Sequence, residues 1–289
     1  MNTKAPVLVK ESERNHFRGF LRTDGRVGTR NWIAVIPTSM CASHEANRIA
    51  TVAEFTLWSA ETHPNVDGVV ALAHNKGCGT PDGANVSTIL RTLAAYAAHP
   101  NVGGVVFLEL GCEKTGSSIL RDWMEANGKA IRDKPVVWIG IQDEGGTQAA
   151  IKRGLTEVEG MLTQVNAAQR TQVSASELVL GLKCGASDGF SGLSANPALG
   201  AAADRVVYQG GTAILTEIPE FCGAEHVLAM RSRDVTVGRE VYGMVDWFKD
   251  HVGKIGAKLG MNPSPGNIEG GLLNITIKSL GAIAKGGTT

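Results

Sequence analysis

The strongest constraint on this chain is a repeat. The stretch "HPNVDGVVAL" (63–72) returns as "HPNVGGVVFL" (99–108). Each copy is a polar turn followed by a short β-branched run, the start of one strand-plus-helix unit. Each run leads to a Gly-Cys pair, Cys78 in "NKGCGTPDG" and Cys112 in "ELGCEKTG". His63 and His99 precede the runs. They therefore read as turn residues at the sheet edge opposite the cysteines.

The rest of the chain extends this rhythm. Strands are expected at Trp32–Pro37, Gly68–Ala73, Gly104–Leu110, Val136–Ile141, Leu178–Leu182 and Ala213–Thr216. Helical patterns lie between them at 43–61, 84–98, 117–127, 146–168 and 197–207. Short apolar strands alternating with helices predict a parallel sheet covered on both faces. The expected class is α/β, with a mainly parallel, Rossmann-like sheet over 17–220 after a short tail at 1–16. Residues 221–289 read as a helical extension and the start of a second, incomplete domain, with helices near 224–231 and 237–259. The Met and Trp residues Met230, Met244, Trp58, Trp123 and Trp247 read as helix packing.

Composition narrows the function. Hydrophobic residues make up 43% of 289, enough for a sizeable core. Lys plus Arg balance Asp plus Glu, so the chain has no basic excess for nucleic acid or an acidic membrane surface. Small molecules and other subunits are the expected partners. No apolar h-region stands near the start, and no segment offers the roughly 18 apolar residues of a membrane helix. A soluble, cytoplasmic protein is expected. Five cysteines in such a chain point to reduced thiols rather than a disulfide framework. No G-x-G-x-x-G occurs, which counts against a dinucleotide-binding oxidoreductase.

Cys41, Cys78, Cys112 and Cys184 each follow an expected strand. In an open parallel sheet the loops after strand C-termini share one edge, and ligands bind there. The four thiols are thus expected to approach one crevice. The alternative is that each is a small buried hydrophobe.

Six ordered stretches carry a resemblance: "GFLRTDGRVGTRNW" (19–32), "HNKGCG" (74–79), "LGCE" (110–113), "KCGASDGFSGLSANPALG" (183–200), "EIPEFCGAEHVL" (217–228) and "NPSPGNIEGGL…KSLGAIAKGGT" (262–288). Together they resemble the altronate/galactarate dehydratase family. The resemblance implies a lyase of sugar acids that depends on ferrous iron or another divalent metal. The family also includes the large subunit of sulfolactate sulfo-lyase. Only a short tail precedes "DGRVGTRN", where family dehydratases often carry a small domain; a separate small subunit is the matching expectation. The chain also stops earlier than family members do, which implies a fragment or a non-catalytic subunit as a third reading. Ile277 stands where the family pattern implies an acid before "KSLG".

Removing a proton beside a carboxylate and a hydroxyl from the next carbon builds up enediolate charge. A divalent metal stabilises that charge, while a general base and a general acid move the protons. Sulfite elimination shares the first step. The expected metal ligands are Cys78, Cys112, Cys184 and Glu113. Three thiolates suit an iron–sulfur cluster with one open iron, whereas mononuclear Fe2+ held by His and carboxylates would leave the thiols behind the metal. His74, Lys183 and Asp188 are the catalytic candidates. Arg26, Arg30 and Asn31 are expected to hold substrate carboxylate, since an Arg fork matches it; the arginines could equally bridge the N-terminal segment to the domain surface. Ser187, Ser191, Asn262, Asn267 and Glu269 are the candidates for polyol contacts, though turns and caps use the same residue types. The homo-oligomeric state is an expectation of the same kind.

Overall fold

The computed structural model describes residues 6–185 and 187–288. The chain forms two compact units. One is Arg18–Val173; the other joins the segment before Arg18 to the chain from Ser174 onward. The packing thus divides the chain well before the boundary expected near residue 220.

The first unit opens with an antiparallel pair, β1 (His16–Leu21) and β2 (Val27–Gly28), registered Phe20 to Gly28. Then come β3 (Trp32–Pro37), α1 (Ser43–Thr56), β4 (Val69–Ala71), α2 (Ala84–Ala97), β5 (Val102–Glu109), α3 (Ser117–Ala126), β6 (Val136–Gly140), α4 (Thr147–Asn166) and β7 (Thr171–Ser174). Strands β3 to β6 form one parallel sheet in the order β4-β3-β5-β6. A smaller sheet is ordered β2-β1-β7.

The alternation of side chains builds two cores. Ile33, Val35, Val106 and Leu108 face α1 and α4; Ala34, Ile36, Val105 and Phe107 face α2 and α3. Strands buried on both faces must be apolar throughout, as β5 is. The repeat is visible in the geometry. Val66 N–H donates to His63 O and Val102 N–H to His99 O, both at 3.0 Å, closing the same turn before β4 and β5.

The second unit holds β8 (Val179–Leu182), α5 (Ala195–Tyr208), β9 (Thr212–Leu215), α6 (Glu225–Met230), α7 (Val235–Lys254), α8 (Pro265–Glu269) and α9 (Ile275–Ile283). Strands β8 and β9 pair parallel with each other, in a sheet of their own. The α/β class and the mainly parallel pairing match expectation; the six expected strands fall in two sheets instead of one. Asp234 and Asn274 accept the N–H of Val237 and Ile277 and start α7 and α9. Trp58 and Trp123 pack against the two cores as expected. Met230, Met244 and Trp247 do not; all three are exposed, and Trp247 stacks on His251 instead.

Candidate functional site

The parallel sheet reverses its order between β3 and β5. The chain steps from β3 out to β4, then crosses back past β3 to β5. A crevice opens at the C-terminal strand ends of such a switch point. Here those ends carry Thr38 to Cys41, His74 to Cys78, and Leu110 to Glu113.

Four bonds tie the three loops together. Met40 N–H donates to Lys76 O at 2.6 Å. The Lys114 ammonium donates to Thr80 O at 3.3 Å and Asp82 Oδ1 at 2.8 Å. Thr115 Oγ1 donates to Thr38 O at 2.6 Å. A cleft of about 590 Å3, lined by Cys41, Lys76, Cys78 and Thr80 among others, opens along them.

Three of the four strand-end thiols meet here. Cys41, Cys78 and Cys112 are all exposed. Partial desolvation pushes the Cys112 thiol above its usual pKa, and the nearby Cys78, Glu113 and Cys41 add to the rise. Among the described residues no group of three or more His, Cys, Asp or Glu side chains is placed so that it could hold a metal ion. The donor chemistry nevertheless fits a thiophilic cation. Adjacent thiols disfavour one another's ionised form, and a bound cation removes that repulsion.

Glu113, expected as a ligand, is committed elsewhere. Its Oε1 accepts Thr38 Oγ1 at 2.6 Å and Leu110 N–H at 2.9 Å, and its Oε2 accepts Gly111 N–H at 2.7 Å. Burial raises its pKa, but the Thr38 hydroxyl and the loop N–H groups outweigh it and hold the carboxyl below its usual range. Glu113 shapes the loop that presents Cys112.

His74 is also engaged at both ring nitrogens. Nε2 lies 3.0 Å from Pro37 O, and Nδ1 accepts Lys76 N–H at 3.2 Å. Only the neutral tautomer protonated on Nε2 makes both bonds. The ring braces the loop after β4 rather than standing free as a base.

Arg26, Arg30 and Asn31 lie at the other end of these strands. Arg26 pairs with Asp24 at 2.6 Å and donates to Ala98 O just before β5. Arg30 faces Asp67 at 3.7 Å. Asn31 is fully buried and donates to Asn65 O and Val165 O. All three precede β3, so the fold puts them at the N-terminal edge, away from the thiols. They join the N-terminal hairpin to the sheet, the other role open to arginines there.

The second unit gathers the remaining candidates. Cys184 stands at the C-terminal end of β8, and its Sγ contacts Ser187 Oγ. The neighbouring strand end supplies a residue the sequence reading missed. Glu217, after β9, accepts Cys184 N–H at 2.6 Å through Oε2 and faces Lys183 Nζ at 3.5 Å through Oε1. Lys183 is largely exposed and ion-paired.

Two loops close against each other nearby. Asn267 donates to Ser187 O at 2.7 Å, and Gly189 N–H donates to Gly270 O at 2.6 Å. Asp188 accepts both the N–H and the hydroxyl of Ser191, which hold its carboxyl below the usual range. Glu269 is exposed at the end of α8. Asn262 accepts from Lys278 Nζ at 3.0 Å, and Lys278 forms a buried pair with Glu220 at 3.4 Å. Ile277, the departure from the family pattern, supplies the N–H capped by Asn274.

An α/β protein with a polar, thiol-bearing edge at a topological switch point, continued by a second unit with its own strand-end cluster, is the class these features define. The family model described as "D-galactarate dehydratase/Altronate hydrolase, second domain" matches residues 19–166, and "D-galactarate/Altronate dehydratase, C-terminal" matches residues 175–289. The chain belongs to this galactarate/altronate dehydratase family. It is 36% identical over 288 residues to galactarate dehydratase (L-threo-forming) of Escherichia coli (strain K12), covering 99% of this chain and 55% of the relative. It is 33% identical over 278 residues to altronate dehydratase of Bacillus subtilis (strain 168), covering 96% of this chain and 53% of the relative. It is 31% identical over 271 residues to the (2R)-sulfolactate sulfo-lyase subunit beta of Chromohalobacter salexigens, covering 93% and 64%. The chain spans about half the length of the two dehydratases. Among the described residues no helix is long and apolar enough to cross a membrane.

Proposed function

We propose that this chain carries the centre of a lyase that eliminates water from a sugar acid, an aldonate or aldarate such as altronate or galactarate. The observation that carries the reading is the meeting of Cys41, Cys78 and Cys112 at the strand ends beside an open cleft. The family and its named dehydratases support the substrate class.

In this reading the three thiols hold iron, as Fe2+ or in a cluster, and Glu113 and His74 keep their loops in place. When bound, the metal supplies Lewis acidity toward the substrate's oxygens. The cleft beside Cys41 and Cys78 admits the substrate; in the second unit, taken by itself, the loop of Ser187 and Ser191, bonded by Asn267, carries hydroxyls of the kind a polyol bonds. Asp188, ionised and held by Ser191, is the acid-base candidate in that loop. In this reading the protein works in the cytoplasm as a homo-oligomer, and a small partner subunit is supported by the sulfo-lyase relative's being named a subunit.

A second reading is sulfite elimination from sulfolactate, favoured by the sulfo-lyase subunit, of which this chain covers the largest share among the relatives described. One assay separates the two. The full chain, loaded with ferrous iron anaerobically, is offered D-galactarate, D-altronate and sulfolactate, alone and with the small subunit. A keto acid from either sugar acid supports the dehydratase; sulfite release from sulfolactate supports the second reading. No product from any of them overturns both.

A further inference from the structure

Glu217 is the one non-glycine residue with a left-handed backbone among those described, at φ 67° and ψ 73°. That conformation crowds Cβ against the following carbonyl and persists only where surrounding contacts impose it. The contacts here are specific. Thr216 Oγ1 donates to Leu182 O at 2.8 Å and Thr216 N–H to the same oxygen at 3.1 Å, so the two strand ends are already joined one residue earlier. The left-handed turn then swings the Glu217 side chain back across β8. One carboxylate oxygen takes the Cys184 N–H, and the other faces the Lys183 ammonium. Lys183 also donates to Cys184 O at 3.2 Å. The flexible lysine is thus held from two sides at the C-terminal edge of a parallel strand pair, the edge at which α/β sheets bind ligands.

We propose that Glu217 is a positioning residue that holds Lys183 to receive the carboxylate of a hydroxylated acid, which deepens the lyase reading and rests on it. A glycine would satisfy the turn without strain. The glutamate is explained by what its carboxylate holds. The Lys183 side chain is largely exposed, and an ammonium has three donors, of which Glu217 and Cys184 O engage two, so one is left for an incoming anion. The ligand class is a small carboxylate with neighbouring hydroxyls, because Ser187 and Ser191 lie in the loop that Lys183 begins.

The test is calorimetric binding of meso-tartrate and D-galactarate to the full chain without added iron, compared for wild type, Glu217→Gln, Lys183→Met and the double variant. Glutamine can still accept the Cys184 N–H, so the fold is retained; Glu217→Gly, which removes the strain as well, serves as a second variant. Glu217→Gln and Glu217→Gly are each expected to weaken binding by about tenfold. Neither change should weaken it further once Lys183 is methionine, because Glu217 acts through that lysine. Glu217→Asp should recover part of the loss. Wild-type affinity in Glu217→Gln overturns the proposal, as does a loss that simply adds to that of Lys183→Met. Absence of binding by wild type also overturns it. Failure of the lyase reading shows separately, as absence of product in the turnover assay.

Discussion

The Thr38 hydroxyl donates to Glu113 Oε1 at 2.6 Å, joining the ends of β3 and β5 where the sheet reverses its order. Both residues are buried. The bond fixes the loop that ends in Cys112, so the thiol edge depends on one carboxylate that bears no thiol itself. Glu113→Gln should cost about 1–3 kcal/mol at neutral pH, since the loop N–H groups lose a charged acceptor. The pH dependence has a definite sign. The folded carboxyl titrates below its unfolded value, so its stabilisation is present above the usual glutamate range and is lost as pH falls through the lowered value. Urea unfolding across the acid range should show a shallower acid decline in Glu113→Gln than in wild type.

Lys134 gives a rise of the same sign in the alkaline range. Its ammonium donates to the carbonyls of Ala97, His99 and Val102, closing the C-terminal end of α2. Burial pushes its pKa down to about 8 from 10.5, with Asp133 opposing and Arg22 and Arg26 adding. The unfolded chain keeps this proton where the folded chain gives it up. Stability should therefore rise with pH between those two values. Lys134→Met should flatten that rise, read as unfolding free energy between about pH 7.5 and about pH 10.

Gly200 in α5 packs directly on backbone. A Cβ there would collide with the carbonyl oxygen of Ala284 and press on Gly287. Neither neighbour is a side-chain tip that can turn aside. Gly200→Ala should destabilise the second unit by about 1–3 kcal/mol, despite alanine's higher helix propensity. A melting temperature at or above wild type would show that the 284–287 segment yields freely.

Much of the first unit was legible because its signals are local. The run "WIAVIP" is apolar at every position and forms a strand over the expected residues, 32–37. The two HPNV turns announce β4 and β5. Strands β1 and β7 were not legible: "HFRGFL" and "TQVS" mix charged and polar residues with few apolar ones. Pairing was legible only in part. Leu178–Leu182 reads like any buried strand, yet Val179 and Ile214 are exposed and, among the described residues, β8 pairs only with β9.

The site divides in the same way. Strand-end position is legible for all four expected thiols: Cys41, Cys78 and Cys112 follow strands of one sheet, and Cys184 follows β8 in the second unit. Arg26 and Arg30 stand before β3 and not beside the thiols, because a motif shows residue type but not which end of a strand it occupies. Glu217 opens the stretch "EIPEFCGAEHVL", but nothing local marks its role; its carboxylate contacts Cys184 and Lys183, more than thirty residues earlier in the chain.

The most direct measurement is iron and acid-labile sulfide in anaerobically purified protein, with wild type beside Cys41→Ser, Cys78→Ser, Cys112→Ser and Cys184→Ser. Iron is expected in the wild type and is expected to be lost in Cys41→Ser, Cys78→Ser and Cys112→Ser, while Cys184→Ser reports whether the thiol of the second unit shares the metal; sulfide accompanying the iron would mark a cluster, and its absence Fe2+. Iron that stays when Cys41, Cys78 or Cys112 is replaced would contradict a thiol-held metal at the switch point.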